Sequence, residues 1–478
     1  MTTLARFILT VGWMLLCSVG LAAATVIPVP VGLRLTDLRC ESAVNPLGLD
    51  VAQPRLSWKL AGTGRGQRQT AYRIEVYSEA EMKRIQGITA SARPDLWDSG
   101  KVSSDETHLI RYAGKQLESS QKVYWFVSIW DEQGRFADAS HLNSWTMGLL
   151  NAGDWKARWI CAPAVTDSLL LRKEFSVKSG LRRAIAHVTG LGQYELSLNG
   201  AKVGSDLLSP GWTDYNDTIL YDTHDITAQL RTGANAVGLT LGNGMYHVER
   251  RNRFAKFTGS FGPLRAICQI ELEYADGTKE LVVTDETWRV HPGAITYNSI
   301  FGGEDFDARL YPQGWNQPGF DDKDWGNAVA VVRPAGTLRG HSAATEPLRE
   351  IETRQPVKVQ KLSETVTVYD FAQNTSYMPR LRVSGPAGST VRLIPAEVIN
   401  ADGSIQRSTM GSTNRGISWW QYTKRTDKVE EWFPQFYYVG CRYLQAELSP
   451  QTNPSPGLSA TLSPSDGERA GVRGRRPK

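Results

Sequence analysis

Apolar residues in this chain recur at every second position, in short runs broken by Gly, Asp and Asn. That rhythm limits the fold more than any other feature. In AYRIEV, Tyr72, Ile74 and Val76 share one face while Arg73 and Glu75 share the other. Successive side chains of a strand point to opposite faces, so the pattern marks half-buried strands. YELSLNG repeats it with Tyr194, Leu196 and Leu198. In CQIELEYADGT, Cys268, Ile270, Leu272 and Tyr274 oppose Gln269, Glu271 and Glu273, and Asp276-Gly277 then supplies a hairpin turn. Only EAEMKRIQGI, from Glu79, has the spacing of a short helix. Many short strands with little helix predict an all-β chain of sandwiches. The 15 tryptophans and 17 tyrosines suit that class, because large aromatics favour sheets and sugar-stacking surfaces.

A length of 478 residues implies about three domains. Three blocks emerge: 33–150, 155–334 and 351–448. RPAGTLRGHSAATEP, between the second and third, is rich in Gly, Ala and Thr and reads as a connector. Residues 1–24 have the layout of a secretory signal peptide: Arg6, an apolar run from Phe7, and small residues at Ala22–Ala24. The alternative is an N-terminal membrane anchor, which the shortness of the run disfavours. The mature chain is thus expected to be exported, periplasmic or secreted, with no membrane association once the signal is removed. Residues 449–478 hold Pro450, Pro454, Pro456, Pro464 and Pro477 and little apolar surface, the composition of a disordered tail.

The net charge of +5 is carried mostly by that tail: Arg469, Arg473, Arg475, Arg476 and Lys478 against Asp466 and Glu468 leave only +2 for residues 1–448. No nucleic-acid partner is implied by a nearly neutral body. Without Cys17, four widely spaced cysteines remain, Cys40, Cys161, Cys268 and Cys441, each in or beside an apolar run. Buried thiols are expected; export also permits disulfides, whose pairing the sequence leaves open.

Several motifs, in order and spacing, resemble the N-terminal half of bacterial α-L-rhamnosidases, glycoside hydrolase family seventy-eight. CESAVNPLGLDVAQPRLSWKL at Cys40–Leu60 resembles the opening fibronectin-like module. LSLNGAKVGSDLLSPGWTDYNDTILYDTHDIT, then GANAVGLTLGNGMY, resembles a second, carbohydrate-binding-like jelly roll, which GGEDFDARLYPQGWNQPGFDDKDW closes. VYDFAQNTSYMPRLRVSGPAGSTVRLIPAEVINADGS, then FPQFYYVGCRYLQAEL, resembles the concanavalin-like module. Cys441 stands where an aromatic is more usual. The fold implied is three consecutive β-sandwich modules with a disordered C-terminal tail.

In the family, an (α/α)6 barrel follows the third module and carries the acid and base of an inverting hydrolysis of terminal α-L-rhamnosides. Residues 449–478 are too short and too polar for such helices. The expectation is a truncated product, inactive alone; the alternative is a stand-alone carbohydrate-binding protein recognising rhamnose-containing glycans. If a surface that docks on the barrel stays free, poor solubility or self-association is expected.

Inversion needs an acid and a base roughly 6.5–9.5 Å apart. The best acidic cluster in residues 33–448 is Glu304, Asp305 and Asp307, beside Arg309, with Asp321, Asp322 and Asp324 as a second; Gly-flanked loops favour a structural role for both. No catalytic residue is assigned. For sugar binding, Asn199, Trp212, Asp214, Tyr215 and Asn243 offer an aromatic face and amide or carboxylate groups, with Tyr246 beside them. Asn199-Gly200 and Asn243-Gly244 read equally as tight turns. Some relatives use this module as a calcium-dependent rhamnose lectin, with an acidic residue where this chain has Leu198. Asp214, Asn216, Asp217, Asp222 and Asp225 are oxygen ligands suited to calcium but lack EF-hand spacing, so no cofactor is assigned and calcium remains a candidate for the second module only. There is no G-x-S-x-G elbow, no Walker loop and no dinucleotide loop.

Overall fold

The computed structural model describes residues 32–85, 93–340, 346–410, 416–449 and 459–461. The signal segment expected at 1–24 lies outside the described residues. Among them the only α-helix is Glu79–Ile85, within the segment where spacing asked for one. No described helix is long and apolar enough to cross a membrane.

The first module packs a three-stranded sheet (Arg34–Cys40, Arg55–Ala61, Ile110–Arg111) on a five-stranded one centred on Ala71–Ser78 and Lys122–Trp130. Burial alternates strictly along Lys122–Trp130, so Val123, Trp125, Val127 and Ile129 enter the core with Trp58, Ile74 and Trp145. The period-two reading of these strands therefore holds at the level of single side chains.

The second module is a sandwich of six and seven strands. Gln193–Leu198, Gly233–Gly242 and Leu169–Val177 lie side by side in one sheet, and Arg265–Tyr274, Leu181–Leu191 and Thr218–Asp225 in the other. Leu171, Leu196 and Leu239 from the first meet Ala186, Cys268 and Ile270 from the second in one buried cluster. All four expected thiols are buried and unpaired. Burial pushes Cys268 and Cys441 up to about 12.

The third module sets a seven-stranded sheet, with Trp419–Thr423, Thr390–Ala396 and Val439–Ser449 adjacent, against a three-stranded one. Three expected boundaries shift here. Ile295–Ser299 and Gly303–Asp307, placed by sequence within the second block, form a hairpin in the third module's sheet, and Gly303–Asp307 runs parallel to Trp419–Thr423. Gly303 makes that contact feasible: its φ is +118°, and a Cβ there would lie 1.8 Å from the Trp419 carbonyl oxygen. The connector supplies Thr337–Gly340, parallel to Thr218–Tyr221 of the second module. The segment expected to be a disordered tail from 449 supplies Ser459–Thr461, antiparallel to Leu381–Ser384. In each case strand pairing from a distant segment overrode a local composition that reads as loop.

Candidate functional site

The predicted sugar-binding residues do not converge. Asn199 (φ 52°) and Gly200 (φ 90°) make the two-residue turn between Gln193–Leu198 and Ala201–Lys202, as the turn reading requires. The Asn199 amide is occupied: its Nδ2 donates to Gln229 O (3.0 Å) and Asn235 Oδ1 (2.8 Å), and its Oδ1 accepts from Ala236 N (2.9 Å). Leu198 pairs with Val237, whereas Gln193 pairs with Gly242, so Asn199 and Asn243 sit at opposite ends of one strand pair. Five residues of strand separate these ends, roughly 17 Å.

Asn243 is 2 % exposed. Its N–H donates to Asn298 Oδ1 (2.7 Å) and its Nδ2 to Asn298 O (2.8 Å). Tyr215 is also buried, its ring edge-on to Tyr246 at 5.2 Å and to Phe261 at 5.4 Å, and burial raises its hydroxyl pKa. Of the five residues, only Trp212, 68 % exposed, and Asp214 face solvent. Asp214 Oδ1 accepts from Asn216 N (3.0 Å), a local turn contact.

The oxygen ligands weighed for calcium are likewise spent separately. Asp222 Oδ2 accepts from the Tyr194 hydroxyl (2.5 Å), Asp225 Oδ1 from Thr227 N (3.0 Å), and Asp217 Oδ2 from the Thr218 hydroxyl (2.9 Å). Among the described residues no group of three or more His, Cys, Asp or Glu is arranged to hold a metal ion.

The GGEDFDAR acids instead build a joint. Glu304 is wholly buried, and its carboxylate accepts Gln435 N (3.0 Å) and Phe436 N (2.6 Å). Burial pushes Glu304 up to about 8, against the opposing pull of those two N–H donors, which favour the charged form. Gln435 Nε2 reaches back to Glu195 in the second module. The Phe436 ring presses on Gly242, where a Cβ would lie 2.3 Å from it, and Asn298 Nδ2 donates to Phe436 O (3.5 Å). Asn243, Asn298, Glu304 and Phe436 thus weld the second sandwich to the third.

The neighbouring acids are also held. Asp305 pairs with Arg253, whose guanidinium lies between the rings of Trp419 (3.6 Å) and Tyr297 (4.1 Å). Burial still raises Asp305, outweighing the Arg253 contact. Asp307 pairs with Arg309 at 2.6 Å, and although burial opposes it, this pairing holds the acid below its ordinary value. Asp322 pairs with buried Arg172. The sequence marked the acids but not their joint. In a Gly-flanked acidic run that reads as loop, nothing set Glu304 apart from its neighbours.

A cavity of about 580 Å³ lies where Leu207 and Leu208 of the second module meet the 348–354 segment and Phe371, Tyr377 and Tyr438 of the third. Its charges are internally matched: Arg349 with Asp206 (2.8 Å), Arg354 with Glu352 (3.0 Å) and Arg380 with Glu350 (2.5 Å).

This architecture defines a train of β-sandwich modules with buried joints. Residues 35–151 match the family described as "Rha78A-like, N-terminal immunoglobulin domain", 179–352 the "Alpha-L-rhamnosidase N-terminal domain", and 360–461 the "Bacterial alpha-L-rhamnosidase concanavalin-like domain". The first is thus described as immunoglobulin rather than fibronectin-like, two names for one sandwich architecture. An Alteromonas sp. (strain LOR) α-L-rhamnosidase is 32% identical over 422 residues, 85% of this chain and 44% of that protein. The α-L-rhamnosidase structure from Dictyoglumus thermophilum is 33% identical with a TM-score of 0.77, covering 90% of this chain and 49% of that one. The Streptomyces avermitilis α-L-rhamnosidase complexed with L-rhamnose is 26% identical with a TM-score of 0.79, covering 90% and 57%. Through these three modules the chain matches the N-terminal domains of bacterial α-L-rhamnosidases. It spans about half the length of the relatives it matches.

Proposed function

We propose that the described modules are the non-catalytic platform of an exported α-L-rhamnosidase that acts on rhamnose-containing glycans, and that they do not break the glycosidic bond themselves. One observation carries this reading: every carboxylate of the Glu304–Asp307 run is engaged by the fold. Glu304 caps backbone N–H groups, Asp305 is held by Arg253, and Asp307 by Arg309. An inverting hydrolase instead needs a proton donor and a base facing each other across space for the sugar and a water. Glu304 has the raised pKa of a general acid, but it is wholly buried with both carboxyl oxygens committed.

Incubating the purified chain with an aryl α-L-rhamnoside is expected to release no phenol above the buffer rate. Turnover proportional to protein would contradict the reading. A second reading, recognition of rhamnose-containing glycans, is favoured by Trp212, whose exposed ring stands beside exposed Asp214. Calorimetric titration with L-rhamnose, with and without calcium, tests it; flat traces in both would end it.

A further inference from the structure

Where the first module joins the second, a separate cavity of about 320 Å³ is lined by Leu149, Asn151, Trp155, Trp159, Arg333 and Thr337, among others. We propose that it binds a carboxylate-bearing sugar, a uronic acid unit of a glycan. The volume lies at the small end of ligand pockets, which start near roughly 300 Å³, and suits one or two sugar rings. Two tryptophans offer aromatic surface for the C–H face of such a ring.

The charge balance selects the class of sugar. The only charged residues in the lining are Arg158 and Arg333, and no acid accompanies them. Arg158 is paired outward with Glu286 (2.5 Å). Arg333 has no ion pair or hydrogen bond among the described residues, and its guanidinium is free to take a carboxylate in a forked contact. Trp159 is 3 % exposed, yet its indole N–H has no acceptor, which leaves one buried donor to be satisfied. Asn151 and Thr337 add polar groups for hydroxyls. The larger cavity at the 348–354 segment contrasts with this one, since its arginines already have acidic partners.

The walls are tied in place before any ligand arrives. Trp155 stands edge-on to Tyr221 at 5.2 Å, the Tyr221 hydroxyl accepts Leu149 N (2.9 Å), and Val331 N donates to Trp159 O (2.8 Å). A preformed site avoids the cost of ordering its own side chains. This site is independent of the platform role and of Trp212, so either can fail without the other.

The test is titration of the full chain with methyl β-D-glucuronide and, in parallel, methyl β-D-glucoside, read by tryptophan fluorescence and by saturation-transfer NMR. The glucuronide is expected to bind saturably, at least about tenfold tighter than the glucoside, the worth of one charge-assisted contact. Arg333→Ala, at an exposed position, is expected to weaken the glucuronide by a similar factor, while Trp212→Ala leaves it unchanged. The proposal is overturned if wild-type chain shows no saturable response to the glucuronide, if the glucoside binds equally well, or if Arg333→Ala binds like wild type.

Discussion

Glu304 sets a pH limit on the union of the second and third sandwiches. Its carboxyl is pushed up to about 8 by burial, from an ordinary value of 4.5. The folded chain therefore keeps a proton that the unfolded chain releases above pH 4.5. Stability from this group is complete below that value and is lost as pH rises through about 8. Over the whole interval the linkage amounts to about 5 kcal/mol, and between pH 6.5 and 8 to about 1–2 kcal/mol.

In that upper interval two buried histidines oppose Glu304. Burial, with the Arg183 charge second, holds His187 down to about 3, and burial likewise lowers His224. Both histidines add stability as pH rises, and at the ordinary histidine value of 6.5 half of their unfolded-state protons are still bound. From pH 6.5 to 8 they therefore return together up to about 1 kcal/mol, equally in wild type and in a Glu304 variant. The buried thiols begin to matter only above pH 9, the ordinary thiol value. The assay is urea unfolding at pH 6.5 and 8.0, followed by tryptophan fluorescence, to which buried Trp420 beside the joint contributes. Relative to Glu304→Gln, wild type is expected to lose about 1–2 kcal/mol across the interval. Glu304→Gln cannot titrate and is expected to remove the Glu304 loss and keep only the rising histidine contribution, with a pH-independent penalty of about 1–3 kcal/mol because an amide N–H₂ replaces an acceptor. A Glu304→Gln chain whose stability changes with pH as wild type's does refutes the reasoning.

Gly303→Ala is expected to cost about 2–4 kcal/mol, since a Cβ would lie 1.8 Å from Trp419 O at a φ of +118°; a melting temperature within error of wild type would contradict the strand contact. Trp212→Ala is expected to leave thermal stability within about 0.5 kcal/mol and to reduce retention on a rhamnose-containing glycan column; unchanged retention would remove Trp212 from any sugar site. Cys40, Cys161, Cys268 and Cys441 are expected to resist a thiol reagent in the native chain and to react together in denaturant, without prior reduction. A reagent count that rises only after reduction would show that they are paired.

The period-two pattern made the strands legible. Lys122–Trp130 buries the side chains the alternation selects, because each face of that strand meets a different medium. Arg265–Tyr274 is instead buried on both faces, Gln269 and Glu273 included. What the pattern could not give was pairing across distance. Glu304 lies in a Gly-flanked loop of the second block by sequence, yet it sits in a strand whose neighbours are Trp419–Thr423 and Gln435, more than a hundred residues away. Thr337–Gly340 and Ser459–Thr461 carry loop-like compositions and became strands only because an open sheet edge accepted them.

The candidate sugar residues failed to converge for a related reason. Asn-Gly pairs mark turns at whichever end of a hairpin they fall. Asn199 and Asn243 fall at opposite ends of one antiparallel strand pair. The uncompensated arginine at position 333 could not be recognised from sequence, since its lack of an acidic partner exists only in three dimensions.

Whether this chain cleaves a rhamnoside decides the main reading. The direct measurement is proton NMR of a rhamnose-terminated glycan incubated with wild type and, separately, with Glu304→Gln and Asp305→Asn. The platform reading expects no free L-rhamnose from any of the three. Free rhamnose appearing with wild type and vanishing with either variant would contradict it, and would make the joint a catalytic centre.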